Sequence, residues 1–240
     1  MRPSRPPLSA NQKHRVTRLA ETPADAALTY CPIPGCGRLT RRQAGRGFSQ
    51  YACQYHDQWK SRHGSYWKRT YTRAQLKPYR SAARIYLHRH REDDHIRQAL
   101  RSLDFLLVGA GPNHRVVDTL TMKPREKARA ALARMRKHEV PSSRLLEIIF
   151  AVSAAVAEDP IRPGGEPHEF RRVQIAKACM RQASGQHSHY GLTLSYHRYP
   201  RSGGLLLRHL GAALDGAADW ALHHHLRGAI TLKQERYGAV

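Results

Sequence analysis

Acidic residues are scarce in this sequence. Its 240 residues include 18 Asp and Glu against 41 Lys and Arg, giving a formal charge of +23 and a pI near 10.7. Such a balance repels other cations and attracts polyanions, of which nucleic acid is the commonest. Long hydrophobic runs are also missing. No stretch approaches the ~18 consecutive apolar residues of a membrane span, and the aromatic residues do not form the apolar stripe of a helix lying on a lipid surface. A membrane is therefore not among the expected partners. Cysteine is sparse, with four in the chain; at this length that makes no disulfide framework. No hydrophobic leader opens the sequence, which starts basic and proline-rich. The expected setting is a reducing cytoplasm, with association to the nucleoid if the chain binds DNA.

The first 70 residues lack any long apolar run, so that part has little core to bury and needs a staple such as a metal ion. The charge is concentrated there as well. Residues 1–90 hold 18 Lys and Arg and three Asp and Glu, which is +15 of the +23. Residues 1–28, broken by Pro3, Pro6, Pro7 and Pro23 and charged by Lys13, Arg15 and Arg18, read as a basic, disordered tail.

Three of the four cysteines fall between positions 31 and 53. Cys31 and Cys36 form one pair and Cys53 and His56 another, with sixteen residues between the pairs. This is ligand spacing for a structural zinc site. Gly35 and Gly37 flank the second cysteine and can take the positive φ angles of a metal knuckle. Four protein ligands close a tetrahedral shell, so the expected Zn2+ ion is structural and leaves no position for an activated water. Metal binding would then drive folding of the segment, by roughly 10–16 kcal/mol in comparable sites. His63 is an alternative fourth ligand, although the two-residue spacing favours His56. Tyr51 to Cys53 reads as a short strand, and a helix starts near His56 and ends at Gly64.

Around the ligands, cations alternate with aromatic rings. Arg38, Arg41, Arg42 and Arg46 lie in the loop between the pairs. Lys60, Arg62, Lys68, Arg69 and Arg73 follow, interleaved with Tyr55, Trp59, Tyr66, Trp67 and Tyr71. Cations contact phosphates and aromatic faces stack on bases. Trp59 and the nine cations are the candidate nucleic-acid contacts, and one or two of the rings are expected to pack on the metal knuckle instead.

The pattern C-x4-C-G, a basic loop, then Y-x-C-x2-H-x2-W-x3-H-G resembles the short zinc modules of bacterial and phage proteins that accompany HNH-type homing endonucleases. In this sequence the residues after the second ligand pair are Trp59, Lys60, Arg62, His63 and Gly64. The resemblance covers about 35 of the 240 residues. It implies contact with DNA in a phage or mobile-element setting. It does not imply a nuclease, because no HNH catalytic signature follows.

From residue 73 onward the periodicity is helical. Helices are expected over 73–91, 92–108, 124–138, from Pro141 with Ser142 or Ser143 as cap, over 168–183, and as one long helix over 205–226. Residues 190–199, where Leu192, Leu194 and Tyr196 alternate with polar positions, are the one stretch with strand character. The expected fold is mostly α: a basic tail (1–28), a zinc-stapled module (29–72) and a helical bundle (73–240) with at most one short strand or hairpin.

Catalytic signals are thin. His187, His189 and His197, and the run His223, His224 and His225, cluster with no carboxylate expected to accompany them, and are expected to be surface histidines. Leu205 to Leu214 looks like the second box of tyrosine recombinases, with Arg208, His209, His225 and Tyr237 in line. That pattern is broken because Leu205 stands where the family has a catalytic histidine and no first arginine box precedes it. Cys179, in an apolar helix, reads as a buried thiol. The sequence therefore points to a DNA-binding protein with no catalytic residues, DNA ranking ahead of RNA, and with the bundle free to meet a protein partner. The alternatives are a DNA-processing enzyme, either a metal-dependent nuclease or a degenerate recombinase, and an RNA-binding subunit of a ribonucleoprotein.

Overall fold

The structure, a computed structural model, describes residues 30–38, 52–115, 118–160, 167–183, 187–189, 192–194 and 203–238. The tail of residues 1–28 and the loop cations Arg41, Arg42 and Arg46 lie outside the described residues. The chain divides into two compact units, one ending at Asp57 and the other starting at Gln58.

The protein is mostly helical. Its elements run α1 (Gln54–His63), α2 (Arg73–Arg89), α3 (Asp94–Val108), α4 (Pro124–Lys137), α5 (Ser142–Glu158), α6 (Pro167–Met180), a single 3-10 turn (Arg181–Ala183), β1 (His187–His189), β2 (Leu192–Leu194), α7 (Gly204–Ala217) and α8 (Asp219–Tyr237). Local chemistry sets several boundaries. Thr72 and Gln75 form a reciprocal capping box at the start of α2, with Gln75 N–H donating to Thr72 Oγ1 at 3.2 Å and Thr72 N–H to Gln75 Oε1 at 2.8 Å. Asp93 caps α3 by accepting from the backbone of His95 and Ile96. Pro124 opens α4, where its missing N–H costs nothing.

Helix α5 is the centre of the larger unit. Its residues from Leu145 to Ala155 are all buried, and α2, α3, α6 and α8 pack around it. Leu145, Ile149 and Phe150 are fully enclosed, each contributing on the order of 1.5–3 kcal/mol of apolar burial. Helix α7 packs against α4 and α6. It approaches α6 closely: a Cβ at Gly211 would stand 2.1 Å from the carbonyl oxygen of Arg172. Charges are built into the core beside the apolar groups, among them Glu147, Asp215 and Lys233. Glu147 on α5 is 5% exposed, accepting from Arg144 Nη1 at 2.7 Å and from Arg80 and Arg84 at 3.3 Å. A buried carboxylate is tolerable when surrounded by guanidinium groups in this way.

Several expectations are corrected or refined. The helix expected over 205–226 is two helices, broken at Ala218, whose N–H bonds back three residues to Asp215 at 3.2 Å. A continuous helix over residues 204–237 would be ~51 Å long and could not fold back on the bundle. The break lets α8 return against α2, α3 and α5 while Ala218 and Ala221 are fully buried. The N-cap of α5 is Pro141, and neither Ser142 nor Ser143 caps it. The strand signal is half of a hairpin: β1 pairs antiparallel with β2, His187 opposite Leu194 and His189 opposite Leu192. Its first strand, His-Ser-His, has no apolar alternation to reveal it; residues 195–199 lie outside the described residues. Near the ligands, Ala52 is in a bend and Cys53 leads directly into α1, with no strand at those two positions; Tyr51 is outside the described residues.

Candidate metal centre

Two short segments bring Cys31, Cys36, Cys53 and His56 together. Residues 31–38 form a tight turn closed by Cys31 N–H donating to Arg38 O at 2.7 Å and Cys36 N–H to Ile33 O at 3.0 Å. Gly35 and Gly37 hold φ angles of 75° and 58°, a region closed to most side chains. The second segment is the start of α1, where Asp57 N–H donates to Cys53 O at 3.0 Å and places His56 one turn beyond Cys53.

The ligand atoms of the four residues all lie within 4.8 Å of one another. Cys31 Sγ and Cys53 Sγ are each 3.4 Å from His56 Nδ1, and Cys36 Sγ is 3.6 Å from Cys53 Sγ. With metal–sulfur bonds near 2.3 Å and metal–nitrogen bonds near 2.05 Å, the edges of a tetrahedron are about 3.8 Å and 3.6 Å. The observed separations fit that tetrahedron. They are far longer than a disulfide, and all four cysteines of the chain are free thiols. The cluster can hold one metal ion.

Its electrostatics suit a cation. Burial opposes a charged Cys53, but backbone N–H groups of His56 and Tyr55 at the helix start, with the neighbouring thiols, hold it below the ordinary thiol range. Burial raises Cys36, and the neighbouring thiols add to the rise. Burial and the charge of Arg38 lower His56, which keeps its imidazole neutral, the form that binds metal. His63 is not in the cluster: its Nδ1 accepts from Thr70 N–H at 3.3 Å and lies 3.0 Å from Thr70 Oγ1. Burial, and then the charges of Lys177, Arg62 and Arg69, push it down to about 4.

The candidate nucleic-acid contacts separate into two kinds. Lys60 pairs with Glu169 at 3.6 Å and lies over the Tyr66 ring. Lys68 is bonded to Asp159 and only 10% exposed. Trp59 donates Nε1–H to Lys68 O at 3.3 Å and packs its ring on His63, centroids 4.5 Å apart. These three are tied into the protein. Arg62, Arg69 and Arg73 are exposed, Arg69 with its guanidinium over Trp59 at 5.6 Å. Arg38 lies over the Tyr55 ring at 4.7 Å.

Sequence reasoning missed Lys177. Its Nζ donates to Thr70 Oγ1 at 2.9 Å, so α6 delivers an ammonium group beside His63 and Thr70, more than a hundred residues away in sequence. Burial, then Arg181 and Arg62, lower it to about 8. Among the described residues, no carboxylate forms an ion pair with Arg62, Arg69, Lys177 or Arg181. No linear spacing could have signalled this group. The residues aligned with a recombinase have separate attachments: Arg208 to Glu169, His225 to Asp93, and Tyr237, whose hydroxyl donates to Ser81 Oγ at 2.9 Å. Cys179 is fully buried, and burial pushes its thiol well above the usual range. Among the described residues no helix is long and apolar enough to cross a membrane. No protein-family model, curated protein or solved structure matches the chain.

Proposed function

We propose that this chain is a DNA-binding protein whose N-terminal unit is stapled by a structural Zn2+ ion. Three thiolates and an imidazole are the donor set that favours zinc over harder cations, and four protein ligands leave the ion no catalytic position. The observation that carries the binding reading is the group Arg62, Arg69, Lys177 and Arg181. Most other cations of the larger unit that approach its interior meet a carboxylate, as Glu147, Glu169 and Asp215 illustrate. Burial first, and then the mutual repulsion of these charges, lower His63 and Lys177, and a phosphate backbone would relieve that repulsion. The overall charge of +23 steers any polyanion toward the protein. The setting implied by the resemblance to phage and mobile-element zinc modules agrees with DNA as the polyanion.

Fluorescence anisotropy with a short DNA duplex, repeated across salt concentrations, tests this. If the four cations neutralise three or four phosphates, log K falls with a slope of about −3 to −4 against log salt. Replacing Arg62 and Lys177 with Met reduces the slope by about 2. Absent or salt-independent binding overturns the reading, and a clear preference for single-stranded RNA replaces DNA as the partner. Metal analysis of the purified protein checks the staple: the Cys31→Ser/Cys36→Ser double variant is expected to hold one zinc per chain fewer than wild type.

A further inference from the structure

A second constellation lies in the helical unit, at the start of α3 and the middle of α8. Asp93 Oδ1 is 2.9 Å from His225 Nε2 and 3.4 Å from His95 Nδ1. The three ligand atoms all lie within 4.8 Å of one another. We propose that Asp93, His95 and His225 form a second metal site, for a divalent ion of the Zn2+ type.

The crowding at Asp93 Oδ1 is the first argument. That oxygen already accepts from His95 N–H at 2.9 Å and Ile96 N–H at 3.4 Å as the cap of α3. A carboxylate oxygen offers about two lone-pair directions. His225 Nε2 is aimed at the same oxygen, and His95 Nδ1 stands 3.4 Å from it without the alignment of a hydrogen bond, so hydrogen bonding does not account for the approach of both rings. A cation among the three side chains accounts for it, because both imidazoles then present lone pairs to the ion.

The supporting shell is the second argument. His225 Nδ1 is 3.3 Å from Tyr86 Oη. With Nε2 given to the metal, Nδ1–H donates to that hydroxyl and fixes the ring, as partners of metal-bound histidines do. His95 is stacked on His224 with centroids 4.0 Å apart and planes 22° apart, and His224 is nearly parallel to Trp220. Helix α8 therefore sets the plane of a ring that α3 carries.

Exposure completes the picture. His225 is 11% exposed, whereas Asp93 and His95 are 34% and 39% exposed. The site has a buried floor and an open rim, so solvent can complete the shell. Two imidazoles and one carboxylate suit borderline first-row divalent ions and leave coordination positions open. The ion would also pin α3 to α8 across the bundle.

The test is equilibrium dialysis of the full chain against Zn2+ at pH 7.5, comparing wild type with His95→Ala and with Asp93→Asn. Asparagine caps a helix as well as aspartate does, and His95 is half-exposed, so both variants should keep the wild-type helical circular dichroism. Wild type is expected to bind one equivalent more than either variant. Tyr86→Phe should keep the equivalent but weaken it by about tenfold. Cobalt substitution separates the two centres, since the thiolate bands belong only to the cysteine site. Equal zinc content in wild type and in either variant overturns the proposal, whatever the cysteine site does.

Discussion

Single residues decide the chemistry of both centres. At the cysteine cluster the donor atoms already stand at tetrahedral distances, and two local devices set them: the glycine turn for Cys31 and Cys36, the start of α1 for Cys53 and His56. Cys36→Ser is therefore expected to abolish metal retention, measured by metal content after dialysis. Residues His63 and Lys177 carry the pH dependence. His63 sits near 4 in the folded protein against 6.5 in the unfolded chain, so the unfolded state binds more protons between those values. Stability is full above pH 6.5 and declines as pH falls toward 4. The slope stays below about 1.4 kcal/mol per pH unit, the limit for one proton, and solvent screening of the partly buried ring reduces the total loss. Urea unfolding from pH 7 to 4 should show this decline, and His63→Gln should flatten it. Lys177, lowered to about 8, should take up a proton when a polyanion binds near pH 8–9. Calorimetry in two buffers of different ionisation enthalpy would detect that uptake.

At the scale of elements, the glycines of α7 make opposite predictions. Gly211 faces the backbone of Arg172, which cannot give way as a side chain would. Gly211→Ala should cost about 1–3 kcal/mol or more, read as a lower urea midpoint. Gly216, on the same helix, has nothing within 4 Å of a built Cβ, and Gly216→Ala should stabilise by about 0.4–1 kcal/mol. The helical periodicity of residues 73–158 was legible because the apolar spacing there is regular and Pro124 marks a start; the caps Thr72 and Asp93 emerged only in the structure, and the serine cap expected for α5 is absent. The break at Ala218 was not legible. Both halves are apolar and alanine-rich, so the pattern runs through it, and only the need for α8 to pack back on α5 imposes the turn. The first hairpin strand was hidden for a related reason, since His187-Ser188-His189 is defined by its partner strand and not by its own composition.

For the whole molecule, each of the two units has its own internal means of cohesion. The buried apolar cluster runs from Tyr71 to Ala229 and includes no residue of the first unit. The described part of that first unit has the cysteine cluster in place of a core. Chelation is therefore expected to unfold the N-terminal unit alone. A small loss of helical circular dichroism and new proteolysis near residue 57 should accompany it, while the main thermal transition shifts little. A single cooperative collapse on chelation would show instead that the helical unit depends on the metal.

The sequence by itself determined the basic character, the members of the Cys/His cluster and most helix positions, because charge is additive and because short-range spacing is a local property. It could not show which cations would find carboxylates: Lys60 and Lys68 are paired with Glu169 and Asp159, while Lys177 joins Arg62 and Arg69 from a distant helix. Nor could it show that His225, one of three adjacent histidines, turns inward to Asp93 while His223 and His224 remain exposed. Those outcomes depend on which helix faces meet, and packing around α5 decides that.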